Sequence, residues 1–309
     1  MGFGCRHFMG INKRLLKSNM MLLLTAILWG FAFVAQRAGM KHIEPFIFNG
    51  VRFALGSMSL IPIILLNRKR RNVNSLPSIG KKTVILGSGL AGSALFIGSS
   101  LQQVGIVYTT AGKAGFITGL YVIIVPIMGL FWRQRPDITM WGGAILATVG
   151  LYLLSITQGF TISTGDLLVL VGAFFFAIHV HIIGWFSGRI DPIKLAFLQF
   201  LVCSALSLIV AIFAEAIAIQ SIYKAIIPIL YGGFVSVGIA YTLQVVAQQH
   251  AHPTHAAIIL SLETVFAAIG GWLILGERLS PRGLTGCALM LAGMFLSQIN
   301  IKVSTSKGG

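Results

Sequence analysis

The sequence predicts an all-α integral membrane protein with ten transmembrane helices arranged as two inverted five-helix repeats. Three observations lead there. Hydrophobic residues make up 56% of the chain and charged residues only 10%, whereas about a quarter of a soluble domain is charged. Mean hydropathy is correspondingly high, at +0.89. Ten apolar stretches follow one another, each near the length that carries a helix across the roughly 30 Å hydrocarbon core of a bilayer. The second five of these stretches echo the first five.

The stretches fall at 20–37, 45–66, 83–103, 108–131, 140–156, 166–186, 193–214, 225–247, 254–275 and 283–299. Turn and charge signals separate them: Lys41-His42-Ile43-Glu44-Pro45, the basic run Arg68-Lys69-Arg70-Arg71 with Lys81-Lys82, Arg133-Gln134-Arg135-Pro136-Asp137, and Ser163-Thr164-Gly165-Asp166. No joint is long enough for a soluble domain. The expected organisation is an N-terminal segment 1–18, a first repeat 19–157, a second repeat 166–299 and a tail 300–309. The 36 glycines suit helices that pack through small residues. Cys5, Cys203 and Cys287 are too scattered for a disulfide framework or a cysteine metal site.

A net charge of +16 is read against the membrane before any nucleic-acid partner is invoked. With the N-terminus in the cytoplasm, that side receives 16 of the 23 basic residues, including Lys13, Arg14, Lys17, the 68–71 run, Arg189 and Lys194. The outer side receives Arg37, Lys41, Lys224, Arg278 and Arg282. The positive-inside rule therefore puts both termini in the cytoplasm, and the plasma membrane is the expected location. Residues 1–37 imitate a signal peptide, but the first span has a counterpart later in the chain, so cleavage is not expected.

The echo is positional. An offset of 147 (176 − 29) pairs Trp29 with Phe176, Glu44-Pro45 with Asp191-Pro192 and Arg52 with Gln199. An offset of 143 (257 − 114) pairs Ala114 with Ala257, Thr118 with Ser261, Gln134-Arg135 with Glu277-Arg278, Gly143 with Gly286 and Gly150 with Gly293. Five spans per half is an odd number, so the second copy enters from the opposite side. Inverted repeats of this kind let many secondary carriers expose one midplane site to each side in turn.

Specific segments carry a resemblance. They are LWGFAFV at 28–34, EPFIFNGVRF at 44–53, TTAGKAGFITGLYVIIVPIMGLF at 109–131, DPIKLAFLQF at 191–200 and LSLETVFAAIGGWLILGERLS at 260–280. With Gly276-Glu277-Arg278 followed by Gly286, and Arg52 in the second span, the chain resembles the EamA family of the drug/metabolite transporter superfamily from about 19 to 299. The resemblance implies ten helices, cytoplasmic termini and a central cavity lined by spans 1 to 4 and 6 to 9, with spans 5 and 10 peripheral. Arg133-Gln134-Arg135 stands where the family often carries a Gly-Glu pair. His250, His252 and His255 are not a family feature.

Glu263 is the one ionisable residue between Ala256 and Gly276. It lies near mid-membrane, where a lone carboxylate costs a few kcal/mol or more. It should therefore face a cavity or a partner, or be protonated, and it is the candidate proton carrier. His255, Ile259, Glu263, Phe266 and Gly270 share a face at helical spacing. Other polar stripes are Tyr241, Gln244 and Gln248 on the eighth span, Ser99 and Gln103 on the third, and Trp29, Phe33 and Gln36 on the first. Tyr121 and Lys113 mark the fourth span, and His179 lies three residues past Phe176. Arg52, about two turns into the second span, could hold a carboxylate through two hydrogen bonds. For each residue, interhelical hydrogen bonding or snorkelling is the competing reading; as a set they suit an amphiphilic binding cavity.

No P-loop, HExxH motif or catalytic domain is present in the sequence. Gly87-Ser88-Gly89 imitates a nucleophile turn without an evident base. His179 and His181 are two apart and point apart on a helix, and His250, His252 and His255 lack a neighbouring carboxylate or cysteine, so no metal and no cofactor are expected. The expectation is a non-ATP-hydrolysing secondary transporter that exports small metabolites, amino acids or amphiphilic compounds. An intramembrane enzyme or a flippase acting on a lipid-linked substrate is the alternative. Expected partners are a small-molecule solute, the lipid bilayer and a coupling proton, with a homodimer left open and no nucleic acid. The orientation has a direct check: in intact cells an impermeant thiol label should react with a cysteine placed at residue 160 and spare one at residue 72. The reverse pattern would overturn it.

Overall fold

In a bilayer no water reaches the backbone N–H and C=O groups, so a spanning segment must close its hydrogen bonds internally. The computed structural model of the protein describes residues 3–70, 80–109, 111–134, 136–155, 163–216, 218–275 and 280–297. Among them every regular element is a helix. The Gly276-Glu277-Arg278 motif and the 300–309 tail lie outside the described residues.

Eight spans are long and apolar enough to cross a membrane. They are Lys13–Gly39 within α1 (Phe3–Gly39), Pro45–Leu66 within α2 (Pro45–Arg70), α3 (Lys81–Tyr108) and Ala111–Phe131. The other four are α7 (Thr164–Phe186), α8 (Pro192–Ala214), Ile226–Ala247 and Pro253–Ile274. The expected fifth and tenth spans are also helices, α6 (Ile138–Ser155) and α14 (Pro281–Ser297). Both are shorter within the described residues, and each begins two residues ahead of its expected stretch: the Asp137 carbonyl accepts from Met140 and Trp141, and Ser280 Oγ accepts from Gly283 N. The ten stretches thus yield eight helices of clear spanning length. Helix starts follow the sequence signals, with Ser163 and Asp166 forming a capping box on α7 and Asp191 capping α8 ahead of Pro192.

Three expected spans are not continuous α-helices. The fourth divides at Leu120 into α4 (Ala111–Gly119) and α5 (Tyr121–Phe131). The ninth divides at Ser261-Leu262 into α12 (Pro253–Leu260) and α13 (Glu263–Leu275), and Ser261 Oγ bonds back to the Ile258 carbonyl at 2.9 Å in competition with the helical ladder. The eighth, which follows the short α9 (Ile219–Lys224), passes from α10 (Ile226–Leu230) through a π-helix at Tyr231–Tyr241 into α11 (Thr242–Ala247).

Large apolar side chains such as Phe131 and Phe213 face outward, while Arg52, Gln103, His179 and Glu263 are buried. This inverts a soluble protein, because here the apolar phase is the solvent. Around the centre, α1 packs on α13 and the π-helix, α2 on α8 and the π-helix, and α3 on α7 and α8. The first half's α4 and α5 pack on α7, and α6 lies against α14. Glycine sets the spacing. A Cβ at Gly150 would lie 2.5 Å from the Gly286 carbonyl oxygen, and one at Gly143 would lie 2.7 Å from that of Gly293.

Two connections depart from routine. Glu215, just past α8, accepts the N–H groups of Phe46 and Ile47 at 2.8 Å each and so satisfies the start of α2. Burial pushes its carboxyl above the ordinary range, against the pull of those two donors. Arg133, after α5, adopts φ 57° in the left-handed region that favours glycine. It sits where the second half has Gly276 (276 − 143), so the departure noted in the sequence falls on a strained backbone position.

The glycine contact gives a stability prediction. Gly150→Ala should push α6 from α14 and cost about 1–3 kcal/mol, read as a lower unfolding temperature of the purified protein in detergent. An unchanged temperature would remove the close contact.

Candidate functional site

A cavity lies between the helices. α1 contributes Trp29, Phe33 and Gln36, whose 4 and 3 spacing places them on one face. Arg52 enters from α2, Gln102 from α3, and Phe176 and His179 from α7. The interrupted spans supply the rest: Thr118 and Tyr121 from either side of the Leu120 break, Leu260 and Glu263 from either side of the 261–262 break, Ser236 and Tyr241 from the π-helix, and Gln244 from α11. Neither α6 nor α14 reaches it.

The breaks create the site. Glu263 is the first residue of α13, so its carboxyl lies at a helix N-terminus, the end that favours negative charge. The hydroxyl of Tyr121, first residue of α5, is beside that carboxyl, and Glu263 Oε1 is buried without a hydrogen-bond partner among the described residues. Glu263 is only 3% exposed.

The π-helix explains the aromatic wall. Its i→i+5 bonding stacks residues five apart, and Tyr231, Ser236 and Tyr241 all meet α1. Tyr231 Oη donates to the Leu28 carbonyl at 2.9 Å, the Ser236 carbonyl accepts Trp29 Nε1–H at 3.2 Å, and the Tyr241 ring lies 4.4 Å from the Trp29 ring. In an α-helix Ser236 and Tyr241 would diverge by about 140°.

Two polar pairs complete the lining. Gln102 Nε2 donates to Thr118 Oγ1 at 2.9 Å, and His179 Nε2–H donates to Gln199 Oε1 at 2.9 Å. The Arg52 guanidinium lies between two rings of its own helix, 5.3 Å from the centroid of Phe48 and 5.0 Å from that of Phe53.

Nine of the residues singled out in the sequence line this cavity: Trp29, Phe33, Gln36, Arg52, Tyr121, His179, Tyr241, Gln244 and Glu263. Three do not. Ser99 turns to the Phe96 carbonyl and Cys203, Gln103 is buried on the neighbouring face, and Gln248 Nε2 donates to the Val180 carbonyl at 2.9 Å. The third-span stripe was one residue out of phase, since Gln102 and not Gln103 faces inward. Thr118 and Ser236 were missed; the Thr118–Ser261 pairing of the two halves was the signal for the first, and no α-helical period could have shown the second.

Other candidates lie elsewhere. Lys113 sits 3.7 Å from Asp166 at the helix ends. His181 Nε2 meets the Val125 carbonyl at 2.9 Å, so it does not join His179. His255 does not share Glu263's surroundings, because the break intervenes: its Nε2 meets Asn19 Oδ1 at 2.9 Å and its Nδ1 meets Ser297 Oγ at 3.4 Å. His252 accepts from Thr254 N, and burial, with His181 nearby, holds its imidazole below the ordinary range. His250 is exposed. Among the described residues no three His, Cys, Asp or Glu side chains converge as metal ligands. Ser88 is buried, and its Oγ finds no hydrogen-bond partner there.

Long apolar helices surrounding an internal amphiphilic cavity define a multi-pass membrane protein. The profile of the EamA-like transporter family matches residues 16–156 and 163–298, and the chain belongs to that family. An uncharacterized transporter of Archaeoglobus fulgidus is 32% identical over 281 residues, 91% of this chain and 85% of its own length. A "Probable amino-acid metabolite efflux pump" of Salmonella typhimurium is 22% identical over 312 residues, 93% of this chain and 96% of its own. A crystal structure that covers 91% of this chain and 96% of its own superposes with a TM-score of 0.74 at 16% identity, a likeness of fold.

Adjacent glutamines separate lining from packing. Gln102→Leu should raise the KM for the solute about two- to tenfold, the value of one neutral hydrogen bond. Gln103→Leu should leave it within about twofold on the same scale. Transport assays showing the opposite order would move the cavity off this face of α3.

Proposed function

We propose that this chain is a secondary carrier that exports a small metabolite, an amino acid or an amphiphilic compound, across the plasma membrane by alternating access, with no ATP hydrolysis of its own. The observation that carries the reading is an amphiphilic cavity held between ties at the two ends of the apolar stretch 20–37 of α1. Near one end, Asn19 Oδ1 bonds His255 Nε2 at 2.9 Å and Ser18 Oγ donates to the Ala247 carbonyl at 2.6 Å. At the other end Arg37 donates to the Ile106 carbonyl at 2.7 Å, and just beyond it Asp166 accepts from Thr109 and pairs with Lys113. Eighteen residues of helix, about 27 Å, separate Asn19 from Arg37. Release of one set with retention of the other would open the cavity to one side only.

The reading includes ten helices in two inverted repeats, 19–157 and 166–299, with both termini cytoplasmic. Support comes from the contacts between α6 and α14, which occupy equivalent places in the two halves. Gly143 approaches Gly293 while Gly150 approaches Gly286, although Gly143 is equivalent to Gly286 and Gly150 to Gly293. Equivalent helices that cross in this antiparallel sense are what a two-fold axis in the membrane plane produces. The ties are also equivalent, since Asp166 corresponds to Asn19 (166 − 147). Both breaks, at 120 and at 261–262, fall in the same part of their repeats.

Glu263 is the proposed proton carrier. Its counterpart is Leu120 (263 − 143), so the repeat itself does not require an acid there. The test uses proteoliposomes loaded with the deproteinised small-molecule fraction of cells, with and without an imposed proton gradient. Wild type should release a subset of compounds chemically unchanged, faster with the gradient. Glu263→Gln, nearly isosteric with the protonated acid, should retain downhill release and lose the response to the gradient. Release of altered products would favour an intramembrane enzyme, and a Gln variant that still responds to the gradient would remove Glu263 from coupling.

A further inference from the structure

We propose that Arg52 is the seat for a carboxylate group on the transported solute, a reading that rests on the carrier function above and narrows its substrates to organic acids, zwitterions included. Arg52 is 2% exposed and lines the cavity. Among the described residues its guanidinium makes no hydrogen bond, and no carboxylate lies within salt-bridge distance of it; its Nε is buried without a partner. Glu263, the acid of the same cavity, does not pair with it. The groups facing it electrostatically are Tyr241 and Cys203, uncharged in their ordinary protonation states. A buried cation left without an anion is strongly unfavourable, so the site is incomplete as the protein alone builds it.

Packing holds the side chain ready. Its stem runs over Gly232 of the π-helix, where an added Cβ would lie 3.3 Å from Arg52 Cδ. Its head is flanked by Phe48 and Phe53. The fork is therefore positioned without spending its N–H donors, and a planar carboxylate matches such a fork with two parallel hydrogen bonds. The equivalent position of the second half sharpens the contrast. There the residue is Gln199, whose Oε1 is already taken by His179. The first half keeps a charge with no internal partner, and the second keeps a neutral amide that has one.

Two measurements test this seat, one of them independent of transport. In the first, thermal unfolding of the purified protein in nanodiscs is followed with millimolar sodium benzoate or its neutral isostere benzamide. Benzoate should raise the wild-type midpoint by about 2 °C and benzamide should not. Arg52→Gln should abolish the rise and Arg52→Lys, which keeps the charge and loses the fork, should reduce it. Equal effects of the two probes, no effect of benzoate, or a benzoate effect that survives in Arg52→Gln would each overturn the seat. The second repeats the proteoliposome release: compounds released by wild type should carry carboxylates, and Arg52→Gln should release them at least about tenfold more slowly. Release of compounds lacking an acidic group, equal in both proteins, would remove the seat while leaving the carrier. A benzoate response with no release at all would remove the carrier and leave the seat.

Discussion

Close approach of backbones through glycine is the contact on which the rest of this structure depends. Helices in lipid gain nothing by hiding apolar surface from one another, so their association rests on van der Waals contact and interhelical hydrogen bonds. Gly30 illustrates the consequence, since a Cβ there would lie 2.8 Å from the Glu263 carbonyl oxygen. That approach of α1 to α13 sets Trp29 and Glu263 on the walls of one cavity. The Gly56 and Gly233 contacts between α2 and the π-helix do the same for Arg52 and Tyr241.

Glycine packing alone would give a closed bundle; the interruptions in three spans open it. Irregular backbone is tolerated at membrane depth only where it is buried in protein or lines a cavity, and here it does both. Thr264 Oγ1 donates to the Gly115 carbonyl at 3.0 Å, tying the two broken spans together beside their breaks. Each break delivers a residue that a continuous helix would have turned elsewhere. Fold and site are in this sense one arrangement.

The cavity carries a polar surplus. Gln36 Oε1, Gln244 Oε1, Glu263 Oε1 and Arg52 Nε, with Tyr121 Oη beside the Glu263 carboxyl, are buried without a well-formed protein hydrogen bond among the described residues. Groups left in that condition cost stability, and in an ordinary core they are few. Five of them line this one space, with the Glu263 carboxyl and the Arg52 guanidinium held apart, and others, such as those of Asn49 and Gln103, lie in the packing between helices.

Much of this was legible along the chain. Composition, the ten apolar stretches and the two offsets led to a helical membrane protein, because hydropathy and residue spacing are local properties that a bilayer reads directly. Capping residues such as Ser163 and Asp191 marked helix starts for the same local reason. Glu263 and Arg52 stood out because a charge within an apolar span has few uses. The tertiary structure decided which face of α3 turns inward, so that Gln102 lines the cavity and Gln103 does not. It decided that Ser236 shares a face with Tyr241, through π-helical bonding with no hydropathy signature. It also decided that Arg52 has no counter-ion among the described residues while Gln199 is bonded to His179. Sequence fixes which charges enter the membrane, but whether each is paired depends on helices brought together from distant parts of the chain, and that is a matter of packing.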